Sequence, residues 1–458
     1  MTHIPLLRTS PPQRNGLIAE RATPRRGARP SWPIWFAIAG FACQVGLYFF
    51  GDTLIRLPLR VCMYAFSLAL LFILRGPVAG GTTAAIRIVQ AIVVVLLISL
   101  IHPDGDRLIA RLAQAALYVA VLAPLKWTRH IRFDLSNFRK LAIVSWMFYT
   151  ASATAGVLQV LYPGKFDGAL ANNYSEAAAN ALTYVLDDGT RLFRPKGLTD
   201  LLGGAGTSGI YAIILGIGML LTETRASMRC AAALGMIAGL FCIYMSHGRT
   251  NIVIVATAIV ATLTLLARRG EYQTCARILM IVACVSAVGT ATAFTIGGES
   301  TIDRWSTLVG AEAPTTFHGY RGMFLEALLT QDIWIYPAGA GMGRWGMMNA
   351  YFGTPDKALW AEMMWQSLLY DGGIPLMILY LILASIILHR TWIIGVEGAN
   401  NLGRWGAVLF GYTAAAIVAS FSFPIFSVQL GLEVILFNAA LQSAFHSSTQ
   451  RDQMIRKK

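Results

Sequence analysis

Residues 203–221 read GGAGTSGIYAIILGIGMLL, nineteen consecutive positions without a charged side chain. At about 1.5 Å of rise per residue, a helix over this run extends about 28 Å, close to the roughly 30 Å hydrocarbon core of a bilayer. Lipid offers the backbone no water to bond, and a helix satisfies its N–H and C=O groups internally. The run therefore predicts a transmembrane helix. Working outward in both directions, similar apolar runs occupy about 33–50, 57–74, 88–101, 108–125, 141–161, 230–246, 251–267, 278–296, 364–388, 405–423 and 425–445. The expectation is an all-α polytopic membrane protein of about twelve transmembrane helices, with a large loop before the tenth.

Composition agrees. The 458 residues are 56% hydrophobic and only 13% charged, with a mean hydropathy of +0.57. Soluble domains carry about 25% charged residues, so roughly half the usual polar surface is missing. The net charge of +14 sits in short loops between apolar runs and forms no continuous basic face, which argues against nucleic acid as a partner. With the N-terminus inside, 24 of the 37 Lys and Arg residues fall in inside segments. By the positive-inside rule both termini are expected in the cytoplasm and the two longest connections, 162–202 and 297–362, outside.

Residues 1–31, with six arginines from Arg8 to Arg29, read as a disordered basic cytoplasmic tail. Residues 32–445 form the transmembrane domain with its two long outer loops, and 446–458 a second basic cytoplasmic tail. The first apolar run begins only near Trp32, so an uncleaved first span is expected rather than a signal peptide. The cysteines (Cys43, Cys62, Cys230, Cys242, Cys275, Cys284) show no C-x-x-C pairing and lie outside both long loops, consistent with small apolar residues in helices.

Loops of this length in a membrane protein are seldom mere connectors. In the first, RLFRPKGLTD places Arg191, Arg194 and Lys196 just before a span. SHGRTN places His247 and Arg249 in a tight outer turn between the seventh and eighth runs. The second long loop carries Arg321 on an amphipathic stretch, HGYRGMFLEALL (318–329), and Arg344 after PAGAGMG. Guanidinium groups keep their charge when partly desolvated and bind phosphate through two parallel hydrogen bonds. Any one of these arginines is adequately explained by head-group anchoring. Three clusters recurring where separate loops meet the membrane favour a phosphate-bearing lipid substrate.

The glycines at 339, 341 and 343 lack the strand and helix of a dinucleotide site and read as a tight turn approaching a neighbouring helix or a ligand. LLGGAGTSG (201–209) is expected to let helices pack closely. Asp371 and Glu433 both fall within spans, roughly 12 Å from the outer ends, either neutral or paired with Arg111.

Taken in order, these features resemble the O-antigen ligase/polymerase superfamily of bacterial surface-polysaccharide assembly. Arg194-Pro-Lys-Gly197 resembles its R-x-x-G element ahead of a Gly-rich span, and Ser246-His-Gly-Arg249 its Ser-Arg turn with two residues inserted. Arg321 followed by Pro337-Ala-Gly339-Ala-Gly341 resembles its Arg-bearing helix and P-x-G-x-G turn. The closing H-N-x-x-L-Q-x-x-x-E-x-G is represented by Ala361-Glu362 through Gln366 to Asp371-Gly372, without the histidine and with the acid displaced by one. The likeness spans about residues 140–445.

The resemblance implies metal-independent, cofactor-free glycosyl transfer at the periplasmic face of the inner membrane, from a glycan on undecaprenyl diphosphate. Arg194, Arg249 and Arg321 would hold the diphosphate, with Arg191, Arg344 and Gln366 as further substrate contacts. Glu362, beside the absent histidine, is the first choice of general base and His318 the second. Trp360, Trp365 and Tyr320 offer sugar-stacking faces or interfacial anchors. A flippase and a chain-length regulator would be pathway partners. The absent histidine favours a polymerase joining repeat units over a ligase acting on lipid A core. A polysaccharide or lipid transporter is the third reading, and it would call for internal repeats and broken helices.

Overall fold

The computed structural model describes residues 31–74, 83–131, 133–162, 165–169, 183–185, 191–201, 203–246, 248–309 and 322–456. The N-terminal stretch 1–30 thus lies outside the described residues. From Trp32 onward the chain is one compact unit. Each of the twelve apolar runs coincides with a helix: α1 (Trp32–Phe49), α2 (Thr53–Ile73), α3 (Thr83–Ser99), α4 (Leu108–Leu122), α5 (Leu135–Leu161), α6 (Gly204–Thr222), α7 (Ala226–Met245), α8 (Arg249–Arg268), α9 (Tyr272–Val309), α10 (Met364–Glu397), α11 (Asn400–Ala419) and α12 (Gln429–Arg456).

Ten of the described segments are long and apolar enough to cross a membrane. The other two differ for identifiable reasons. α3 has only 17 residues, and α12 interrupts its apolar run with Gln429, Glu433, Asn438 and Gln442. α12 is nonetheless buried over most of its first half, with Leu432, Phe437, Asn438, Ala440 and Leu441 closed from solvent. A short antiparallel hairpin, Thr183–Val185 with Arg191–Phe193, departs from helix within the first long connection.

α6 is buried nearly all round, as its uniformly apolar sequence requires. It packs on α5, α7, α8 and α11. A Cβ on Gly209 would stand 2.5 Å from the Gly239 carbonyl oxygen, and one on Gly239 2.7 Å from that of Gly209. Backbone therefore meets backbone between α6 and α7, the contact that small residues permit between apolar helices. The outer face of the bundle carries large apolar side chains such as Phe72, Leu97, Ile98, Val260 and Met280. In water such a surface is costly, and in hydrocarbon it is the matching solvent.

The polar contacts sort the connections into two sets. At one end Asp200 pairs with Arg56 and Arg60, and Asp106 binds Asn349 and Thr354. At the other Arg139 pairs with Glu223, and Glu271 with Arg269 and Arg404. Each set joins only segments that a chain crossing back and forth would leave on one side. Both long connections belong to the first end.

Candidate functional site

The first long connection ends in a built turn. Gln159 of α5 accepts the backbone N–H groups of Lys196 and Gly197 at 3.0 and 2.9 Å, and donates to the Gly197 carbonyl at 2.9 Å. Gly197 sits at φ +63°, where a Cβ would meet the Ser152 carbonyl oxygen at 2.5 Å. Arg194 points to solvent and pairs with no carboxylate among the described residues. Lys196 is different in kind from its neighbours in sequence. It is buried, donates to the Ala169 carbonyl at 2.5 Å and lies over the Tyr48 ring. Burial and the nearby Arg56 push its pKa down to about 8, with Asp167 opposing.

This turn leads into α6, and the turn before α8 meets the same place. The Ala205 N–H bonds the Pro195 carbonyl at 3.2 Å. One residue on, a Cβ at Gly206 would collide with the Asn251 side chain and stand 2.8 Å from Ser246 Oγ. The glycine-rich start of α6 thus brings 194–197 and 246–251 together, and both α6 and α8 direct their N-termini to this end. Helix N-termini carry partial positive charge and favour anions. Arg249 is the first residue of α8; its side chain, like that of Arg191 in the hairpin, lies outside the described residues, as do His247 and Arg321 entirely.

The late connection is stitched down through glycines. Gly339, Gly341 and Gly343 adopt φ of +106°, +97° and +83°. A Cβ on Gly341 would stand 2.5 Å from Gly105 N, and one on Gly343 3.0 Å from Arg111 N. The segment enters a break in α10, where Gly372 and Gly373 leave helical geometry. There the Ala340 N–H bonds the Tyr370 carbonyl at 2.8 Å, and the Ile374 N–H the Pro337 carbonyl at 3.0 Å. The expected close approach to a helix is present.

Asp371 stands at that break, closed from solvent. Its Oδ2 accepts from Trp345 Nε1 (2.5 Å), Tyr118 OH (2.8 Å) and Gln114 Nε2 (3.0 Å). Arg111, the sequence-based partner for Asp371 or Glu433, instead donates to the carbonyls of Leu100, His102, Gly105 and Asp106, closing the C-terminal end of α3. Glu433 accepts from Tyr149 OH and, at 3.1 Å, from Gln429. Asp106 accepts from the side chains of Asn349 and Thr354 and from the Thr354 N–H, each within 2.8 Å. Burial raises its pKa, but these bonds and the Arg107 N–H outweigh that and hold the carboxyl below its ordinary range. Arg344 donates to the carbonyls of Ala340 and Lys357 and clamps the loop on itself.

Glu362 lies beside the start of α10. Its carboxylate accepts from Trp360 Nε1 at 2.8 Å, and its N–H bonds Gln366 Oε1 at 3.3 Å. Gln366 donates onward to Asp332 at 3.2 Å, and Tyr370 OH reaches the same oxygen at 3.4 Å. One glutamine therefore links the backbone of Glu362 to the carboxylate of Asp332. Asp332 went unnoticed in the sequence because 34 residues separate it from Gln366 and no motif contains it. Trp360 and Trp334, exposed by 73% and 77%, present bare indole faces on this surface. His318 and Tyr320 fall outside the described residues, and Trp365 is buried against Phe421. Among the described residues no group of three His, Cys, Asp or Glu side chains has the arrangement of a metal site.

The amphipathic stretch is helical from Met323 to Ala327 and continues through a wider turn, Leu328–Asp332. Leu328 is buried while Met323, Leu329, Trp334 and Ile335 are exposed, so one apolar edge packs and another stays open. A scan against protein-family models finds no match, and neither does a comparison with curated proteins.

Proposed function

We propose that this protein is a polysaccharide polymerase of the bacterial inner membrane, with twelve crossings, both termini cytoplasmic and the end bearing Asp200 facing the periplasm. It joins repeat units carried on undecaprenyl diphosphate, for an exopolysaccharide or O-antigen. The anomeric C–O bond to the lipid diphosphate breaks, a bond from that carbon to an acceptor sugar hydroxyl forms, the hydroxyl proton passes to a base, and undecaprenyl diphosphate leaves. Charge grows on the diphosphate as it departs, and preorganised cations stabilise it.

The observation that carries this reading is the meeting of the Arg194 and Arg249 turns at the N-termini of α6 and α8. Arg321 and Arg191 are assigned to the same diphosphate and Glu362 to the acceptor proton, with His318 as the other basic group available. Gln366 and Asp332 steady Glu362, Trp360 supplies a stacking face, and Arg344 shapes the loop. The test mixes purified protein with lipid-linked repeat units, with and without lipid A core. A ladder of longer lipid-linked glycans is expected, and Arg194→Ala or Arg249→Ala slows it by about 10²–10³-fold. Glycan appearing only on the core would make the protein a ligase.

One observation favours a second reading, transport of a polysaccharide or lipid. α10 is broken at Gly372–Gly373 beside a buried carboxylate, a device found in transporters. Movement of labelled lipid-linked glycan across proteoliposomes, with no ladder, would select it.

A further inference from the structure

At the end opposite Asp200, α3 and the second half of α10 lie side by side and leave a groove of about 470 Å3. Its walls are Ala84 on α3 and Leu381, Ile382 and Ile386 on α10, and His389 and Arg390 close its end. Leu381 and Ile382 are exposed, so the groove opens to the lipid-facing side of the bundle. Its volume falls within the roughly 300–1,000 Å3 of ligand sites.

The charge around it is unbalanced. Some arginines at this end have carboxylate partners: Arg139 with Glu223, Arg269 and Arg404 with Glu271. Arg390 pairs with no carboxylate among the described residues, and neither does Arg87, one turn along α3 from Ala84. His446 of α12 adjoins Arg390. Its pKa is lowered by burial and by repulsion from Arg390 and Arg129, which both lie near it. An apolar slot ending in a cluster of positive charge at the membrane boundary complements a hydrocarbon chain joined to a phosphate.

We propose that this groove holds an anionic phospholipid of the surrounding leaflet, its acyl chain along Leu381, Ile382 and Ile386 and its phosphate at His389 and Arg390. The proposal is independent of what the opposite end catalyses. Native mass spectrometry and thermal unfolding of the full chain in detergent test it, with phosphatidylglycerol, phosphatidylcholine and inorganic phosphate added in separate arms. Phosphatidylglycerol is expected to bind saturably and raise the unfolding temperature, while phosphatidylcholine and phosphate do not. Arg390→Ala weakens retention about fivefold. Leu381→Trp, which fills the groove from an exposed position, removes it while the protein stays monodisperse. Equal retention of phosphatidylcholine, equal protection by inorganic phosphate, or unchanged retention in both variants would overturn the assignment.

Discussion

Single side chains at the loop end have separable duties. Asp371 satisfies three buried donors at once, so Asp371→Ala leaves Trp345, Tyr118 and Gln114 without an acceptor. A loss of about 3–5 kcal/mol is expected, seen as a lower unfolding midpoint, because removing one partner leaves the others desolvated and unpaired. Glu362 is half-buried at the surface, and Glu362→Gln should leave that midpoint nearly unchanged. If it takes the acceptor proton, ladder formation falls by about 10²–10⁴-fold. Asp106 adds a pH dependence. Its carboxyl is held below the ordinary range in the fold, so the unfolded chain binds more protons as pH drops. Its contribution is complete above about pH 4 and is lost as pH falls through the folded value. Thermal unfolding from pH 7 to pH 3 should therefore decline less steeply for Asp106→Asn than for the wild type.

At the scale of elements, the late connection depends on glycines whose backbone no other residue shares easily. Gly341 combines φ of +97° with a Cβ position 2.5 Å from Gly105 N. Gly341→Val should detach the 339–346 segment from α4 and α10, which limited proteolysis of the late loop would report as faster cleavage. The helices themselves were legible in the sequence because hydropathy is a local property, and each apolar run became one helix. Partner choice was not. For Asp371 and Glu433 the sequence leaves open neutral carboxyls or pairing with Arg111, yet Gln114 and Tyr118, further along α4, are the residues of that helix that reach Asp371. Lys196 read as one of three cations just before a span, but the turn fixed by Gln159 directs it inward. Asp332 joins Glu362 only through the folded path of the late loop. Such choices depend on register between distant segments, which neither composition nor periodicity records.

For the whole molecule, the polar contacts divide into two ends, and the hydrophobic girdle between them fits a bilayer. In the proposed orientation, which the positive-inside excess supports, the end bearing Glu223 faces the cytoplasm. Single cysteines introduced at Trp360 and at Arg225 in a cysteine-free background should react oppositely with a membrane-impermeant thiol reagent, the first in intact spheroplasts and the second only after lysis. The central claim is glycosyl transfer between lipid-linked repeats, and its products are countable. Purified protein given labelled repeat units should release one undecaprenyl diphosphate for each glycosidic bond in the ladder. Lengthening without that release, or no lengthening while labelled lipid crosses the bilayer, would contradict it.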